Sequence, residues 1–393
     1  MSTPADTLDD VRANHRLRFH RSVIAAGCLA ALASAGCAAP RDTSESSGQL
    51  AGKQADFEIV LERVRSEHAV PALAAAFVRG GEITAGAVGL GRIDRTDRVK
   101  RDDRFHVGSV SKPISATVIA TLVEDGLLRW DTTVAEVLGG SSVTIRDEYR
   151  RVTLEQLLSH RAGILPWEED EEIARAPKTT GTPAQQRRAA ALWLLRQPPV
   201  AKPGTEHVYS NAGYLVAASM AEEKTGAAWE DLVQERLANP LELKTLGVGW
   251  PARTDPAQPW GHQADHGGFL PHPPDDPYQL GPWLVPAGDL HMSITDLARF
   301  ARLHLEGLMG KPALLKPETF QKLHRPFGDY ALGWNVKETA DHHLGGAGTF
   351  IAAIWVSVPR KVAIVMASNA DADEGIVSDG INQILKLFEV PRP

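Results

Sequence analysis

The chain has 393 residues, of which 43% are hydrophobic and 23% charged, a composition typical of a globular protein with a large buried core. It carries 42 lysines and arginines against 49 aspartates and glutamates, a net charge of −7, which argues against a nucleic-acid partner. Both cysteines, Cys28 and Cys37, lie near the amino terminus. A cysteine nucleophile, a zinc–cysteine cluster and a structural disulfide are therefore excluded from the main body of the chain.

The first forty residues have the pattern of an export signal. An alanine-rich apolar run at 22–39 follows a cluster of cations, and it is short for a membrane span. Two cleavage sites are consistent with it: the residues ending in Cys37 resemble a bacterial lipobox, and residues 33–35 fit an ordinary signal cleavage site. We predict a signal segment at 1–37, and either periplasmic export or membrane anchoring through a lipidated Cys37. A buried helix of the domain is the alternative.

A polar segment at 38–56 predicts a linker, so the folded domain should occupy 57–393. Apolar residues from position 57 recur at helical spacing, and this helix should end before Val70-Pro71. Two apolar stretches, 72–78 and 82–88, flank a Gly-Gly turn and predict a β-hairpin.

The middle of the chain is predicted to be mostly helical, with long loops. Apolar spacing predicts a helix over 111–127, and Thr153 with Gln156 forms a capping box at the start of a second. A third helix should begin at Ser293. The Gly- and Pro-rich stretch 250–287 predicts an extended, ordered loop region.

The carboxyl-terminal part predicts a second hairpin, with strands at 350–358 and 361–368, and a final helix over about 375–388. We expect the strands from the two ends of the chain to share one antiparallel sheet flanked by helices. A mainly helical subdomain would be inserted at about 107–330. This is an α+β fold, and it makes residues 57–393 a single unit.

The start of the first inserted helix carries Ser109 and Lys112, which share one helix face at this spacing. A serine hydroxyl is a weak nucleophile, and a lysine that burial has deprotonated can remove its proton. A helix amino terminus also favours a developing oxyanion. Ser-x-x-Lys alone is a weak signal, because the pair occurs by chance at an ordinary helix start with an exposed lysine.

Two further motifs follow in order, Tyr-x-Asn at 209–211 and His-Leu-Gly-Gly at 343–346, just before the last hairpin. With them the sequence resembles the serine β-lactamase and penicillin-binding superfamily, specifically the branch of class C β-lactamases, D-alanyl-D-alanine carboxypeptidases and family VIII esterases. The segments VTLEQLLSHRAGI and YALGW extend the resemblance over about residues 57–390. The resemblance implies the β-lactamase/transpeptidase-like fold.

The resemblance also implies a role for each motif residue. Ser109 would attack a carbonyl and form an acyl-enzyme, while Lys112 and Tyr209 move its proton. Nearby positive charge would lower the pKa of Tyr209, making it the base in acylation. The implied substrate-binding groups are Asn211, which also bonds Lys112; the N–H groups of Ser109 and Gly346, forming the oxyanion hole; and His343 and Gly345 of the third motif.

The third motif departs from the family pattern. Leu344 has no hydroxyl to offer a substrate carboxylate, and His343 is largely neutral near pH 7. Both departures favour a neutral ester or amide substrate. A literal Lys-Thr-Gly at 224–226 is predicted to be a helix end, with Gly226 as its cap.

The sequence also contains candidates for two other kinds of site. His262, His266 and His272 invite a metal site, but the surrounding glycines and prolines prevent a helical ligand face, so we predict no metal and a loop lining the substrate cleft. Asp265, His266 and Trp283 are hypothetical substrate contacts. An α/β-hydrolase is disfavoured because the sequence around Ser109 does not complete Gly-x-Ser-x-Gly.

The sequence therefore predicts an exported serine hydrolase that works through a Ser109 acyl-enzyme on an ester, amide or β-lactam, without cofactor. Its partner would be a small-molecule or peptide substrate. One alternative is a D-alanyl-D-alanine carboxypeptidase-type peptidase. The other is a catalytically silent binding lipoprotein, disfavoured because Ser109, Lys112, Tyr209 and Asn211 are all present.

Overall fold

The structure, a computed structural model, describes residues 47–391 except 141–142, 169, 176, 277–279 and 312. The predicted signal segment at 1–37, including Cys37, lies outside the described residues. The strands are β1 Ala72–Arg79, β2 Glu82–Gly89, β3 Arg104–His106, β4 Gly247–Val248, β5 His262–Asp265, β6 Gly268–Pro271, β7 Leu290–Ser293, β8 Asn335–Lys337, β9 Ala340–Gly346, β10 Ile351–Ser357 and β11 Val362–Ser368. The α-helices are α1 Ser47–Glu67, α2 Ser111–Glu124, α3 Val134–Leu138, α4 Asp147–Arg150, α5 Leu154–Leu158, α6 Asp170–Ile173, α7 Pro183–Leu194, α8 Asn211–Thr225, α9 Trp229–Val233, α10 Asn239–Leu241, α11 Pro251–Thr254, α12 Val285–Gly288, α13 Ile294–Leu308, α14 Pro317–Leu323 and α15 Gly375–Leu387. Short 3-10 turns at Gly108–Val110 and Pro282–Leu284 and a π-turn at Gln234–Ala238 complete the helical elements.

The main sheet joins the two ends of the chain, as the sequence predicts. Its strand order is β2-β1-β11-β10-β9-β8, and β1 pairs antiparallel with β11 from Leu73 opposite Ser368 to Arg79 opposite Val362. The β1–β2 turn has φ of 59° and 89° at its two glycines, the left-handed region that a tight hairpin turn of this kind needs. The predicted α+β fold, with its helical insertion, is confirmed.

Helices cover both faces of this sheet, and its interior strand β1 is apolar on both sides. In β1, Leu73, Ala75 and Phe77 face one core cluster, and the residues alternating with them belong to the other. Helices α1 and α15 pack on the first face, where the Phe77 ring stacks 3.9 Å from that of Phe388. Helix α13 packs on the second face, towards the insertion. The sheet is thus the rigid layer to which the inserted elements attach.

Helix ends in the insertion follow the side-chain signals in the sequence. Thr153 and Gln156 make the predicted capping box, and the Ser293 hydroxyl accepts the N–H of Asp296 at the start of α13. Helix α8 ends at Gly226, with φ 72°. The literal Lys-Thr-Gly at 224–226 is therefore a helix end, as predicted.

Two boundaries differ from the sequence prediction. Helix α1 begins at Ser47, so the second part of the predicted linker at 38–56 is helical. Within 250–287, predicted as extended loop, β5 and β6 form a hairpin, and its turn places His266 and Gly267 at φ of 42° and 86°. The hairpin escaped prediction because its strands have four residues each and no alternating apolar pattern. Among the described residues no helix is long and apolar enough to span a membrane.

Candidate active site

Ser109 lies in the 3-10 turn that immediately precedes α2. Lys112 is the second residue of α2. Gly108 adopts φ 50° and sits so close to β9 that a Cβ there would be 2.7 Å from the Gly346 carbonyl oxygen. The buried ring of His106 supports the turn: its Nδ1 accepts the N–H of Gly108 at 3.2 Å, and its Nε2 bonds Asp289 at 2.9 Å. Ser109 thus lies in a turn that is held on two sides, by β9 and by His106. Sequence analysis missed this His106–Asp289 pair.

Lys112 is fully buried, and its Nζ faces three oxygens. They are Ser109 Oγ at 3.0 Å, Asn211 Oδ1 at 2.7 Å and the Ala287 carbonyl oxygen at 2.8 Å. A neutral amine has two hydrogens and one lone pair. The amide and carbonyl oxygens are acceptors only, so they take both hydrogens and leave the lone pair facing the Ser109 hydroxyl.

Burial also allows the neutral amine to be populated near pH 7, because it lowers the pKa of Lys112 to about 7. The charge of Glu168 acts in the opposite direction and is the smaller of the two effects. Desolvation disfavours the ammonium, which is the physical basis of the shift. Lys112 thereby combines the geometry and the pKa of a general base for Ser109.

Tyr209 reaches the nucleophile from the opposite side, with its hydroxyl donating to Ser109 Oγ at 2.9 Å. The implied lowering of its pKa is wrong. Burial, the largest effect, raises the pKa of Tyr209 above its ordinary value, although its hydrogen bond with Ser109 acts in the opposite direction. Tyr209 is therefore protonated here and donates to Ser109 Oγ, while the Lys112 amine faces the same oxygen.

Asn211 connects Lys112 to the loop that precedes α6. Its Oδ1 accepts from Lys112, and its Nδ2 donates to the Trp167 carbonyl oxygen at 2.9 Å. Because it is the first residue of α8, its position is set by that helix start, where the Ser210 hydroxyl accepts the N–H of Gly213. Both ends of the amide are used, which fixes its orientation.

The third motif brings strand β9 against the Ser109 turn. A Cβ on Gly345 would lie 2.0 Å from the Val107 carbonyl oxygen and 2.8 Å from the Ser109 nitrogen, so only glycine fits there. A Cβ on Gly346 would meet open space. The backbone of β9 therefore lies beside the N–H of Ser109, with open space at Gly346, where the resemblance places the oxyanion hole.

His343 is buried, and both of its ring nitrogens bond within the protein. Its Nδ1 donates to the Leu344 carbonyl oxygen at 2.7 Å, and its Nε2 accepts from the Tyr330 hydroxyl at 3.2 Å. Burial, followed by the charge of Lys112, lowers the pKa of His343 to about 3, so the ring is neutral. Leu344 packs against the core on the α1 and α15 side of the sheet.

The other histidines weighed in the sequence lie apart from one another. Both ring nitrogens of His262 bond the backbone, at Ile93 and Asn369. The His266 side chain is 97% exposed at the tip of the β5–β6 hairpin. Trp283 packs beside Trp167, with 6.3 Å between ring centroids. Within the described part of the chain, no group of three or more candidate ligands could hold a metal ion.

The comparisons with known proteins agree on one family. A model of the Beta-lactamase family matches residues 54–386. Penicillin-binding protein 4 of Amycolatopsis lactamdurans is 30% identical over 260 residues, 62% of this chain and 62% of that protein. The unguisins hydrolase ungD' of Aspergillus campestris is 27% identical over 326 residues, 76% of this chain and 59% of that protein. The chain thus spans about six-tenths of the length of these curated relatives.

Solved structures share the fold at lower sequence identity. The crystal structure of SurE superposes with a TM-score of 0.71 at 23% identity, covering 87% of this chain and 78% of that one. The octameric penicillin-binding protein homologue from Pyrococcus abyssi gives 0.70 at 20% identity, covering 86% and 77%. Since the family match takes in the whole main sheet and every residue around Ser109, this chain belongs to the beta-lactamase family.

Proposed function

We propose that this protein is a serine hydrolase that forms an acyl-enzyme at Ser109 with a neutral ester or amide. The observation that carries the proposal is the environment of Lys112, where two acceptor oxygens direct the amine lone pair at Ser109 Oγ. A catalytically silent binding protein would not need this arrangement. The name of one relative, a hydrolase of unguisins, is consistent with hydrolysis.

The geometry supports a balanced sequence of proton transfers. Ser109 Oγ bonds to the substrate carbonyl carbon while its proton passes to Lys112 Nζ. The N–H groups of Ser109 and Gly346 would hold the oxyanion. As the carbonyl reforms, the bond to the leaving oxygen or nitrogen breaks, that atom takes the proton of Tyr209, and the Lys112 ammonium reprotonates the tyrosine. Water then attacks the acyl-enzyme ester at Ser109, and its proton passes to Lys112 Nζ. The bond to Ser109 Oγ breaks as that oxygen takes the proton of Tyr209, which releases the acid and restores Ser109.

The preference for a neutral substrate follows from the third motif. A substrate carboxylate near β9 would need a cation or hydroxyl to replace its water. His343 is neutral and bonds only inside the protein, and Leu344 is aliphatic and directed to the core. These side chains leave an anionic group at this strand without the partner that a Lys-Thr-Gly motif supplies.

A pair of matched substrates tests this proposal. A peptide ending in D-alanyl-D-alanine with a free carboxylate is compared with its carboxamide, beside a short-chain p-nitrophenyl ester and a fluorescent penicillin, with Ser109→Ala as control. We expect Ser109-dependent turnover of the ester and a higher kcat/KM for the carboxamide than for the carboxylate. A tenfold preference for the carboxylate would support the carboxypeptidase alternative, and rapid penicillin turnover would support a β-lactamase. If neither turnover nor labelling depends on Ser109, the proposed hydrolase is contradicted and the catalytically silent binding protein is the alternative that stays.

We also propose that the protein is exported, as a periplasmic enzyme or as a lipoprotein anchored through Cys37. The support is the cationic cluster followed by the apolar run at 22–39.

A further inference from the structure

The backbone around Tyr209 is held by the loop that follows α5. His160 contributes on both sides of the tyrosine: its carbonyl oxygen accepts the N–H of Val208 at 2.8 Å, and its ring Nδ1 accepts the N–H of Ser210 at 3.0 Å. The same loop continues to Trp167, whose carbonyl holds Asn211. The Tyr-x-Asn motif therefore depends on residues 160–167 for its placement.

The hydrogen bond to Ser210 defines the state of the His160 ring. Because Nδ1 accepts, the neutral ring carries its proton on Nε2. Burial, with a smaller contribution from the charge of Lys112, holds the pKa of His160 well below its ordinary value. The Nδ1 lone pair thus stays available across the neutral pH range.

His160 combines two features that are unfavourable for folding. Its φ of 58° lies in the left-handed region, where a non-glycine residue is strained by contact between its Cβ and the backbone. Its Nε2 is buried without a hydrogen-bond partner among the described residues. The ring also packs against that of Tyr209, with 4.3 Å between centroids. Residues held in such a state tend to be found where function requires them.

We propose that His160 is a positioning residue for the reaction at Ser109, which holds Tyr209 with its hydroxyl 2.9 Å from Ser109 Oγ. Its carbonyl and its ring fix the two peptide N–H groups that flank the tyrosine, and its ring supports the phenol face. A displacement of about 1 Å at a proton donor is enough to lower a rate on the order of a hundredfold. The inference rests on the acyl-enzyme chemistry proposed above.

Three variants separate the hydrogen bond from packing and backbone strain. His160→Asn keeps an acceptor near the Nδ1 position and tolerates the left-handed backbone. His160→Leu has nearly the same shape as asparagine but no acceptor, and His160→Gly relieves the backbone without restoring the acceptor. We expect kcat for a p-nitrophenyl ester to fall about a hundredfold in the leucine and glycine variants, with KM changed less than about threefold. The asparagine variant should keep kcat within about tenfold of the native protein.

The outcomes distinguish this proposal from the function on which it rests. If the native protein neither turns over esters nor shows a Ser109 adduct with a fluorophosphonate by intact mass, the proposed function fails. If the native protein reacts and the glycine variant, folded by circular dichroism, matches the asparagine variant in kcat, the positioning role is overturned. In the native protein, 15N spectra of labelled histidine should show His160 protonated at Nε2, and protonation at Nδ1 would also overturn it.

Discussion

Lys112 should set the pH dependence of the reaction. Only the free amine can accept the Ser109 proton, and burial lowers its pKa to about 7, so the base is lost as pH falls through that value. We expect kcat/KM for a neutral ester to rise with pH with a midpoint near 7 and then level off. Lys112→Arg, whose guanidinium stays protonated, should lose on the order of a hundredfold to ten-thousandfold in rate.

Glu168 provides a control for this profile. Its charge raises the pKa of Lys112, in opposition to the larger effect of burial. Glu168→Gln should therefore move the midpoint to lower pH without removing the base. A profile that stays flat between pH 5.5 and 9 in the native protein, or a midpoint that moves upward in this variant, would contradict Lys112 as the base.

Among the helices, α7, α8 and α9 are joined by one buried cation. Arg187 is fully buried, its guanidinium bonds both oxygens of Glu222 at 3.1 and 3.0 Å, and it contacts Glu230 at 3.0 Å. It also donates to the Pro282 carbonyl oxygen beside Trp283. Helix α8 begins with Asn211, so this ion pair supports the element that carries part of the active site.

Arg187→Ala should reduce the free energy of unfolding by about 3–5 kcal/mol, because it leaves the Glu222 carboxylate buried without its partner. Urea denaturation monitored by tryptophan fluorescence would measure the change. The double variant Arg187→Met with Glu222→Gln removes both charges and should recover part of the loss. A loss below about 1 kcal/mol in the alanine variant would mean that water reaches this pair.

Elements whose ends are set by residues within one turn were predictable from the sequence. Features that depend on contacts between residues far apart in the sequence were not. The capping box of Thr153 and Gln156 and the end of α8 at Gly226 depend on residues within one turn, and both were predicted. The β5–β6 hairpin has no such local pattern, and the start of α1 at Ser47 lies in a polar stretch. His160 escaped attention because its role depends on a backbone N–H fifty residues away.

For the whole molecule, the proposed export would decide where the reaction takes place. In a bacterial host, the lipobox predicts that full-length protein partitions into detergent and incorporates labelled palmitate, and that Cys37→Ser abolishes both. Cys28→Ser is the matched control, since it lies in the same apolar segment and should leave both unchanged. A mature protein that begins at Gly36 without lipid would support the ordinary signal peptide, and an uncleaved cytoplasmic protein would contradict export.

The sequence by itself determined the family, the α+β class and the three motifs, because each is written in residue types at short spacing or in a pattern along one strand or helix. Only the tertiary structure decided the surroundings on which the proposed proton-transfer roles rest. Whether Lys112 or Tyr209 is the base depends on burial and on the acceptors contributed by Asn211 and Ala287, residues about 100 and 175 positions from Lys112. Likewise, the inward orientation of His343 is set by Tyr330 and by the face of β9 on which it lies. Electrostatics follows distance in space and exposure to water, neither of which spacing along the chain reveals.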